Sequence, residues 1–480
     1  MKRSVLLAAL VLGAACVTAP GCKSYPDKMR SLKAELAMGM DDDVPAVYRA
    51  EKPSGKNRLL ALEEQGRLAQ LQGRYRESAE AYREAMEFCE TKANGAVVSV
   101  RETLDKSLAS TYGNDLAMDY PVTAFDQMML YTLDSFNRLA LGEWDHFGVD
   151  VRNLTVWRNE ANELVLRDIA SINEKLGKKR KDALVANSAY KDIIGKEVLY
   201  ADGLRRSTDN AYALYLIALY NEILGNNADA LKAYRDIERI RPGIPAVSAG
   251  IESANGRHLA AGEGEVIVFF EEGFIPQKRN YRFQYGGLFT TVVSDLPYYS
   301  AFDCQPSEYG GSVAVLENGD FVASGTQLCD LATLAVKSHE ERLRGIIARQ
   351  ISRTSVKAIT RGIFSGMALA GAYCAAQGIG DDKGYTQTIL LTVGIVGSVG
   401  MGIMAAATEQ ADLRSWLLLP RQVQIARFSA GPGVHEFLVQ SANGSRNVTV
   451  EVKPGKKTVV YCTSVFDNMK CFSACMDKVK

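Results

Sequence analysis

The sequence predicts an α+β protein in which an all-helical N-terminal region precedes a sandwich-like β domain with a helical insertion. Apolar residues recur at helical spacing from about residue 57 to 262. β-Prone runs separated by glycine-containing turns occupy residues 263–327 and 417–480. Between them, residues 328–416 return to helical spacing. With 480 residues, of which 47% are hydrophobic and 23% are charged, the chain can bury such cores.

Residues 1–21 have the composition of a lipoprotein signal peptide. Lys2 and Arg3 form a basic start, an apolar run follows, and small residues precede a cysteine. Cys22 is the predicted lipidated residue and mature N-terminus, and Cys16 is the alternative. Several acyl chains on one residue make a stable membrane anchor. Residue 23 is lysine rather than the aspartate that retains some lipoproteins at the inner membrane, so the prediction favours the outer membrane.

Residues 22–56 are predicted to be a polar tether, and residues 57–262 to form tetratricopeptide-like helix pairs. Two helices pack closely only where small residues let their backbones approach, and each pair needs a neighbour to cover its apolar face. Three segments have glycine, small and aromatic residues at the expected positions: Gly66, Gly73, Tyr75 and Tyr82; then, more weakly, Gly142 and Trp144; then Gly225, Ala230, Tyr234 and Pro242. Such arrays bind proteins on their concave face or serve as structural helical regions without a ligand, and the sequence leaves both open.

The two β regions are predicted to form one domain within residues 263–480. The run from Val266 to Phe270 is strongly β-prone, and Asn318-Gly319 has the signal of a tight hairpin. From Gln422 onward, Gly-Pro-Gly, Asn-Gly and Pro-Gly punctuate alternating segments, which predicts a meander.

The helical insertion contains an uncharged hairpin at residues 362–408. Its two uncharged runs, 362–380 and 384–408, have 19 and 25 residues. Each run is long enough to cross about 30 Å of hydrocarbon, and glycines three or four residues apart favour close helix packing. Five glycines dilute the first run, however, and the sequence lacks interfacial aromatic belts and a polybasic flank. We therefore predict burial of the hairpin against the β domain, with membrane insertion as the alternative.

The cysteines predict disulfide formation in an oxidising compartment. Seven cysteines follow Cys22, an odd number, so at least one thiol remains free. Cys89, on an apolar helix face, is the expected free thiol. The expected disulfide is Cys304–Cys329 or, alternatively, a pair among Cys462, Cys471 and Cys475.

The sequence predicts neither an enzyme nor a nucleic-acid partner. It has no Gly-x-Ser-x-Gly and no phosphate loop. His339-Glu340-Glu341 is followed by Leu343, where a zinc protease needs its second histidine. Four dispersed histidines supply little for a metal site, and equal numbers of basic and acidic residues, 56 each, leave no electrostatic footprint for nucleic acid. We expect no cofactor and no metal.

Several segments, in their order, resemble an uncharacterised family of bacterial tetratricopeptide-repeat lipoproteins. The most distinctive is EQADLRSWLLLP, with Asp412, Arg414, Trp416 and Pro420. The segments LAQLQGRYRESAEAYREA, LYNEILGNNADALKAYRDIERIRP and GEVIVFFEEGFIPQKRN also match. Members are often encoded beside activator lipoproteins of penicillin-binding proteins. The resemblance therefore implies an exported lipoprotein that acts in cell-envelope assembly, and it implies no catalytic residue.

The residues of this signature segment have a structural interpretation of their own. Asp412 and Arg414 are expected to fix a helix exit through an ion pair or a cap, and Trp416 to anchor the following strand before Pro420. Anion binding by Arg414 is the functional alternative.

The predicted function is a lipid-anchored, periplasm-facing scaffold whose helix pairs bind a protein partner in envelope or peptidoglycan assembly. The alternative is a membrane-inserting, oligomerising component of an envelope transport or secretion system that uses the Gly-rich hairpin 362–408. Neither the partner nor the oligomeric state follows from the sequence.

Overall fold

The structure is a computed structural model, and helices dominate its N-terminal half while strands dominate its C-terminal half. The chain is therefore an α+β protein, as the sequence predicts. The structure describes residues 25–39, 55–95, 119–158, 206–256, 259–260, 262–285, 289–295, 311–343, 346, 363, 365–370, 372 and 411–477.

Eight described helices precede the first strand, and six of them form three consecutive helix–turn–helix pairs. The pairs are α2/α3, α4/α5 and α6/α7, and each turn contains a glycine with positive φ. Glycine suits these turns because it adopts left-handed backbone angles without steric cost. The bounds are α1 Tyr25–Met38, α2 Arg58–Leu71, α3 Tyr75–Gly95, α4 Ala124–Leu141, α5 144–158, α6 Ala211–Ile223, α7 Asn227–Ile240 and α8 Pro245–Ala254.

Helix α1 corrects the prediction that residues 22–56 are only a polar tether. Met29, Leu32 and Leu36 lie on one face of α1 and are at most 2% exposed. Spacings of three and four residues place side chains on the same helix face. This face joins a hydrophobic cluster with α2, the loop after β1, the segment before β7 and the end of β10. Three apolar residues in a polar sequence were too weak a signal to predict a docked helix.

The strands form a five-stranded sheet, a four-stranded sheet and a two-stranded hairpin. The orders are β11-β10-β1-β7-β6, β5-β4-β8-β9 and β2-β3, and among these described strands only the β1–β10 pairing is parallel. Helix α9, residues 331–343, follows β6. The bounds are β1 Gly264–Glu272, β2 Arg279–Tyr285, β3 Phe289–Asp295, β4 Ala314–Glu317, β5 Asp320–Ser324, β6 Thr326–Asp330, β7 Gln422–Ala430, β8 Gly433–Gln440, β9 Ser445–Val452, β10 Lys457–Val465 and β11 Asn468–Cys475.

The strand connections confirm one turn prediction and correct another. Asn318 and Gly319 have φ angles of 52° and 91° and join β4 to β5, as their hairpin signal predicts. The predicted meander after Gln422 is wrong because the chain changes sheets. The β8–β9 hairpin belongs to the four-stranded sheet, and β10 returns to lie parallel to β1. Local turn signals specify hairpins but not which sheet each hairpin joins.

The five-stranded sheet is the middle of three layers. Side chains alternate between the faces of a strand, so Ile267 and Phe269 of β1 face the helices. Val266, Val268 and Phe270 face the four-stranded sheet. One hydrophobic cluster contains residues of α2–α8 together with residues of β1, β7 and β10. The predicted boundary at residues 262 and 263 thus separates helices from strands, but it does not separate two cores.

The described part of the uncharged hairpin is exposed. Within 363–372, the described residues are helical; Ile363 is 59% exposed, Leu369 is 73% exposed, and no neighbouring heavy atom lies within 4 Å of a Cβ built on Gly366. The predicted burial is therefore wrong for this part, and residues 389–404 lie outside the described residues. Among the described helices, none is both long enough and apolar enough to cross a membrane.

Candidate functional site

The inner face of the three helix pairs, formed by their first helices α2, α4 and α6, is covered by the chain itself. Helix α6 buries 11 of its 13 residues. Phe136 of α4 stacks on Tyr461 of β10 with ring centroids 4.3 Å apart, and Tyr215 of α6 meets Phe269 of β1 edge to face at 5.6 Å. The five-stranded sheet therefore occupies this face.

A buried ion pair connects α2 to β1 beneath this contact. Arg67 Nη2 lies 2.5 Å from Glu271 Oε2, and the two side chains are 2% and 1% exposed. Tyr212 and Tyr461 both donate hydrogen bonds of 2.8 Å to the Glu271 carboxylate. Arg67 also donates through Nε to the carbonyl of Leu418 at 3.2 Å. No polar side-chain atom of Arg67 or Glu271 is left without a hydrogen-bond partner.

A second buried network connects α6 to β1, β7 and β10. Arg427 donates to Glu222 at 2.7 Å and to Glu265 at 2.6 Å, and its side chain is fully buried. Lys457 Nζ lies 2.8 Å from Glu222. Burial opposes ionisation of Glu222, but the charge of Arg427 outweighs it and lowers the pKa of Glu222 to about 2. The helical layer is thus held to the sheet by ionised groups as well as by apolar packing.

The signature segment lies against the first helix pair. Arg414 is 3% exposed and donates from Nε and Nη2 to the two Asp412 carboxylate oxygens, at 2.9 and 2.8 Å. It also donates to Asn57 Oδ1 at 2.6 Å, while Lys278 Nζ donates to the Arg414 carbonyl at 2.7 Å. Burial opposes ionisation of Asp412, yet the hydrogen bonds from Arg414 lower its pKa. These bonds favour the predicted ion pair over anion binding by Arg414.

Residues 416–418 continue this contact with α2 and α3. Trp416 is 1% exposed and packs edge to face against Tyr82, with centroids 5.8 Å apart. The backbone N–H groups of Leu417 and Leu418 donate to the two Glu64 carboxylate oxygens at 2.6 and 3.1 Å. Burial raises the pKa of Glu64 to about 7 despite these bonds. Pro420 is buried just before β7.

The structure places the predicted helix-pair residues at turns and close contacts. Gly73, Gly142 and Gly225 have φ angles of 77°, 67° and 75° at the three turns. A Cβ on Gly66 would overlap the Tyr82 ring, and one on Gly250 would overlap Tyr234. The other predicted residues are distributed as follows: Ala230 is buried, Tyr75 packs on Phe472, Trp144 is partly buried, and Pro242 lies between α7 and α8.

Sequence reasoning missed the buried charges of α2. Glu63, Glu64 and Arg67 are each at most 2% exposed. Neither carboxylate oxygen of Glu63 has a hydrogen-bond partner among the described residues. Burial, with the nearby charge of Asp126, raises the pKa of Glu63 well above its ordinary value. The signal that could have revealed these buried charges is their position in the first helix of a predicted helix pair. In a stack of such pairs, that helix is expected to be the inner one.

The cysteines require one correction. Cys329 is a buried free thiol whose Sγ lies 3.7 Å from Asn210 Oδ1, so the expected Cys304–Cys329 disulfide is wrong. Its position on β6 faces the start of α6, and Cys304 lies outside the described residues. The disulfide that the structure contains is Cys462–Cys471, between paired residues of β10 and β11.

Free thiols also include Cys89, which is buried on α3, and Cys475. The predicted lipidation positions, Cys22 and Cys16, lie outside the described residues.

Between the helices and the sheet, Arg67, Arg414 and Arg427 neutralise carboxylates of distant or neighbouring residues. Glu64 binds backbone N–H groups. These contacts hold chain segments together. Within the described parts of the chain, no cluster of three or more His, Cys, Asp or Glu side chains has the arrangement of a metal site. Comparisons of the chain with protein-family models, curated proteins and solved structures found no match.

Proposed function

We propose that the protein is a lipid-anchored, periplasm-facing scaffold of the bacterial cell envelope, with tetratricopeptide-like helix pairs on a sandwich-like C-terminal domain. The main support is the construction of the pairs: glycine turns with positive φ, and glycines packed under the Tyr82 and Tyr234 rings. The signal-peptide composition that ends at Cys22 supports export. The Cys462–Cys471 disulfide supports an oxidising compartment.

The covered inner face directs the proposed partner to the outer helices. Helices α3, α5 and α7 keep charged residues exposed, among them Arg76, Glu80 and Arg83 on α3. A protein partner in envelope or peptidoglycan assembly would bind there through polar contacts. The family resemblance, carried by the segment from Asp412 to Pro420, supports the same pathway by association.

Anchoring is tested with matched serine variants of the two candidate cysteines. Wild-type protein is expected to incorporate labelled fatty acid and to fractionate with the outer membrane. Cys22→Ser should lose the label and become extractable by buffer, whereas Cys16→Ser should behave like wild type. Retention of the label by Cys22→Ser would contradict the proposed anchor.

The partner surface is tested by photo-crosslinking in cells. A photoreactive phenylalanine at Arg83, which is exposed on α3, should give a discrete protein adduct. The same residue at Phe321, which is 67% exposed on β5, is the control and should give none. Equal adducts at both positions would contradict a partner surface on the outer helices.

The exposed apolar residues of the hairpin favour a second candidate function, membrane insertion by residues 362–408. Ile363 and Leu369 are more than half exposed although they lie in a run of 19 uncharged residues. Exposed apolar helical surface is typical of lipid contact. The Cys22→Ser protein should then still sediment with phospholipid vesicles, and Leu369→Asp should release it while Phe321→Asp should not. Loss of sedimentation in Cys22→Ser itself would rule out this candidate.

A further inference from the structure

Helix α1 begins three residues after the proposed lipidated cysteine. Lipoproteins with a flexible tether hold their folded body at a variable distance from the bilayer. Here α1 is docked instead, because its Met29, Leu32 and Leu36 side chains are buried against the body. The position of α1 therefore determines where the body lies relative to the lipid.

Polar contacts at both ends fix α1 along the junction between helices and sheet. At its start, the Tyr25 hydroxyl donates to Glu64 Oε1 at 2.6 Å. At its end, Asn468 Nδ2, at the start of β11, donates to the Ala37 carbonyl at 3.3 Å. Between them, Lys33 Nζ lies 4.7 Å from the centroid of the Phe274 ring. The helix is thus bound to α2, to the loop after β1 and to the start of β11.

We propose that α1 holds the body directly on the bilayer, with the exposed Lys28 and Arg30 of its first two turns in contact with phospholipid headgroups. This proposal rests on lipidation of Cys22. Three residues of fully extended chain span roughly 10 Å, so the start of α1 cannot leave the headgroup region while the acyl chains remain inserted. The anchor then sets the orientation of the protein as well as its compartment.

The chemistry of the exposed start of α1 suits phosphate groups. Lys28 is exposed and Arg30 is 47% exposed, and the ion pair of Arg30 with Asp27 at 3.2 Å lies at the surface, where it is weak. Basic residues close to a lipid anchor add attraction to anionic lipids. We commit to phospholipid headgroups as the partner of this surface.

The outer sheet supplies a reference position, because the cluster that holds α1 contains no residue of the four-stranded sheet. The four-stranded sheet lies on the face of the five-stranded sheet opposite the helices, and packed sheets are about 10 Å apart. Phe321 on β5 is therefore expected to face the periplasm and not the bilayer.

The test uses full-length lipidated protein in vesicles of phosphatidylethanolamine and phosphatidylglycerol. A photoreactive phenylalanine at Lys28 should give a lipid adduct, detected by mass spectrometry, at least fivefold more abundant than one at Phe321. Insertion of a ten-residue Gly-Ser linker between Lys23 and Ser24 should lower the Lys28 adduct severalfold, because such a linker adds roughly 17 Å of reach. Equal adducts at the two positions, or no effect of the linker, would overturn the proposal.

Failure of the proposed anchor and failure of the docked orientation give different results. Protein that keeps its lipid label without Cys22 contradicts the proposed anchor. Protein that is lipidated at Cys22 and gives no adduct at Lys28 contradicts only the docked orientation. An adduct at Lys28 that survives the linker insertion would show that the surface binds headgroups without help from α1 docking, and it would also overturn the proposal as stated.

Discussion

Replacement of Arg67 by methionine should destabilise the whole protein, because Arg67 neutralises a carboxylate that water cannot reach. Glu271 is 1% exposed. Removal of one partner from a buried ion pair costs about 3–5 kcal/mol, because the other charge remains buried and uncompensated. The lost hydrogen bond to the Leu418 carbonyl adds to this cost. We expect Arg67→Met to lower the free energy of unfolding by about 4 kcal/mol.

A double-mutant cycle isolates the ion pair from the loss of packing. Glu271→Gln keeps an acceptor for the Tyr212 and Tyr461 hydroxyls, which donate to this side chain at 2.8 Å. With both charges removed, the double variant Arg67→Met/Glu271→Gln should be about 2 kcal/mol less stable than wild type, which is a smaller loss than that of Arg67→Met alone. The two residues are in contact, so their effects should not add.

Urea unfolding of the Cys22→Ser protein measures these energies, with far-UV circular dichroism and tryptophan fluorescence as two probes. Because helix and strand residues share one hydrophobic cluster, we expect a single unfolding transition that both probes report. Each variant should shift this transition as a whole. Arg83→Met is the matched control, because the Arg83–Glu87 pair is 60% and 61% exposed and should contribute less than about 1 kcal/mol. A loss below 1 kcal/mol in Arg67→Met, or a double variant as unstable as the sum of the single variants, would refute the reasoning.

Three further predictions concern packing, titration and oxidation. Gly66→Ala places a Cβ against an aromatic ring and should lower the free energy of unfolding in urea by about 1–3 kcal/mol. The control Gly366→Ala, at an open helical glycine, should leave stability unchanged or raise it slightly. Equal effects of the two substitutions would contradict the close contact at Gly66. Burial raises the pKa of Glu272 to about 7, so the folded state binds a proton that the unfolded state has released, and stability should fall as pH rises from about 4.5 to 7. Glu272→Gln removes this titration and should flatten the pH dependence of the free energy of unfolding by about 3 kcal/mol; an unchanged slope would count against the raised pKa. Peptide mapping without reductant should recover the Cys462–Cys471 disulfide. Because the disulfide joins residues 9 apart in sequence, replacement of both cysteines by alanine should lower the free energy of unfolding by about 3 kcal/mol. Free thiols at both positions would contradict the pairing.

The parts of the fold that the sequence predicts are those with local causes. Turn glycines such as Gly73 and Gly225 follow from backbone sterics within a few residues. The hairpin at Asn318-Gly319 has the same kind of local cause. Strand pairing across the chain has none: Glu265 of β1 lies opposite Lys457 of β10, and nothing near either residue specifies that register. The docking of α1 likewise depends on a surface assembled from distant segments.

The candidate site was harder to predict than the fold because its residues look solvated in the sequence. Glu64 and Arg67 lie in a charged stretch that a surface helix would also have. They are buried because distant segments supply their partners: backbone N–H groups of residues 417 and 418 bind Glu64, and Glu271 of β1 binds Arg67. A buried charge is tolerated only when such partners exist, and no pattern within α2 reveals them.

The contacts with the first helix pair give the signature segment a structural role. Asp412, Arg414 and Trp416 are held by each other and by the first helix pair. Because Glu64 binds both this segment and Tyr25 of α1, one carboxylate connects the proposed lipid anchor, the helix pairs and the entry to β7. Substitutions in the signature segment should therefore disturb the orientation of the body on the membrane before they disturb the proposed partner surface of the outer helices, where the exposed Arg76 and Arg83 pair with Glu143 and Glu87 instead.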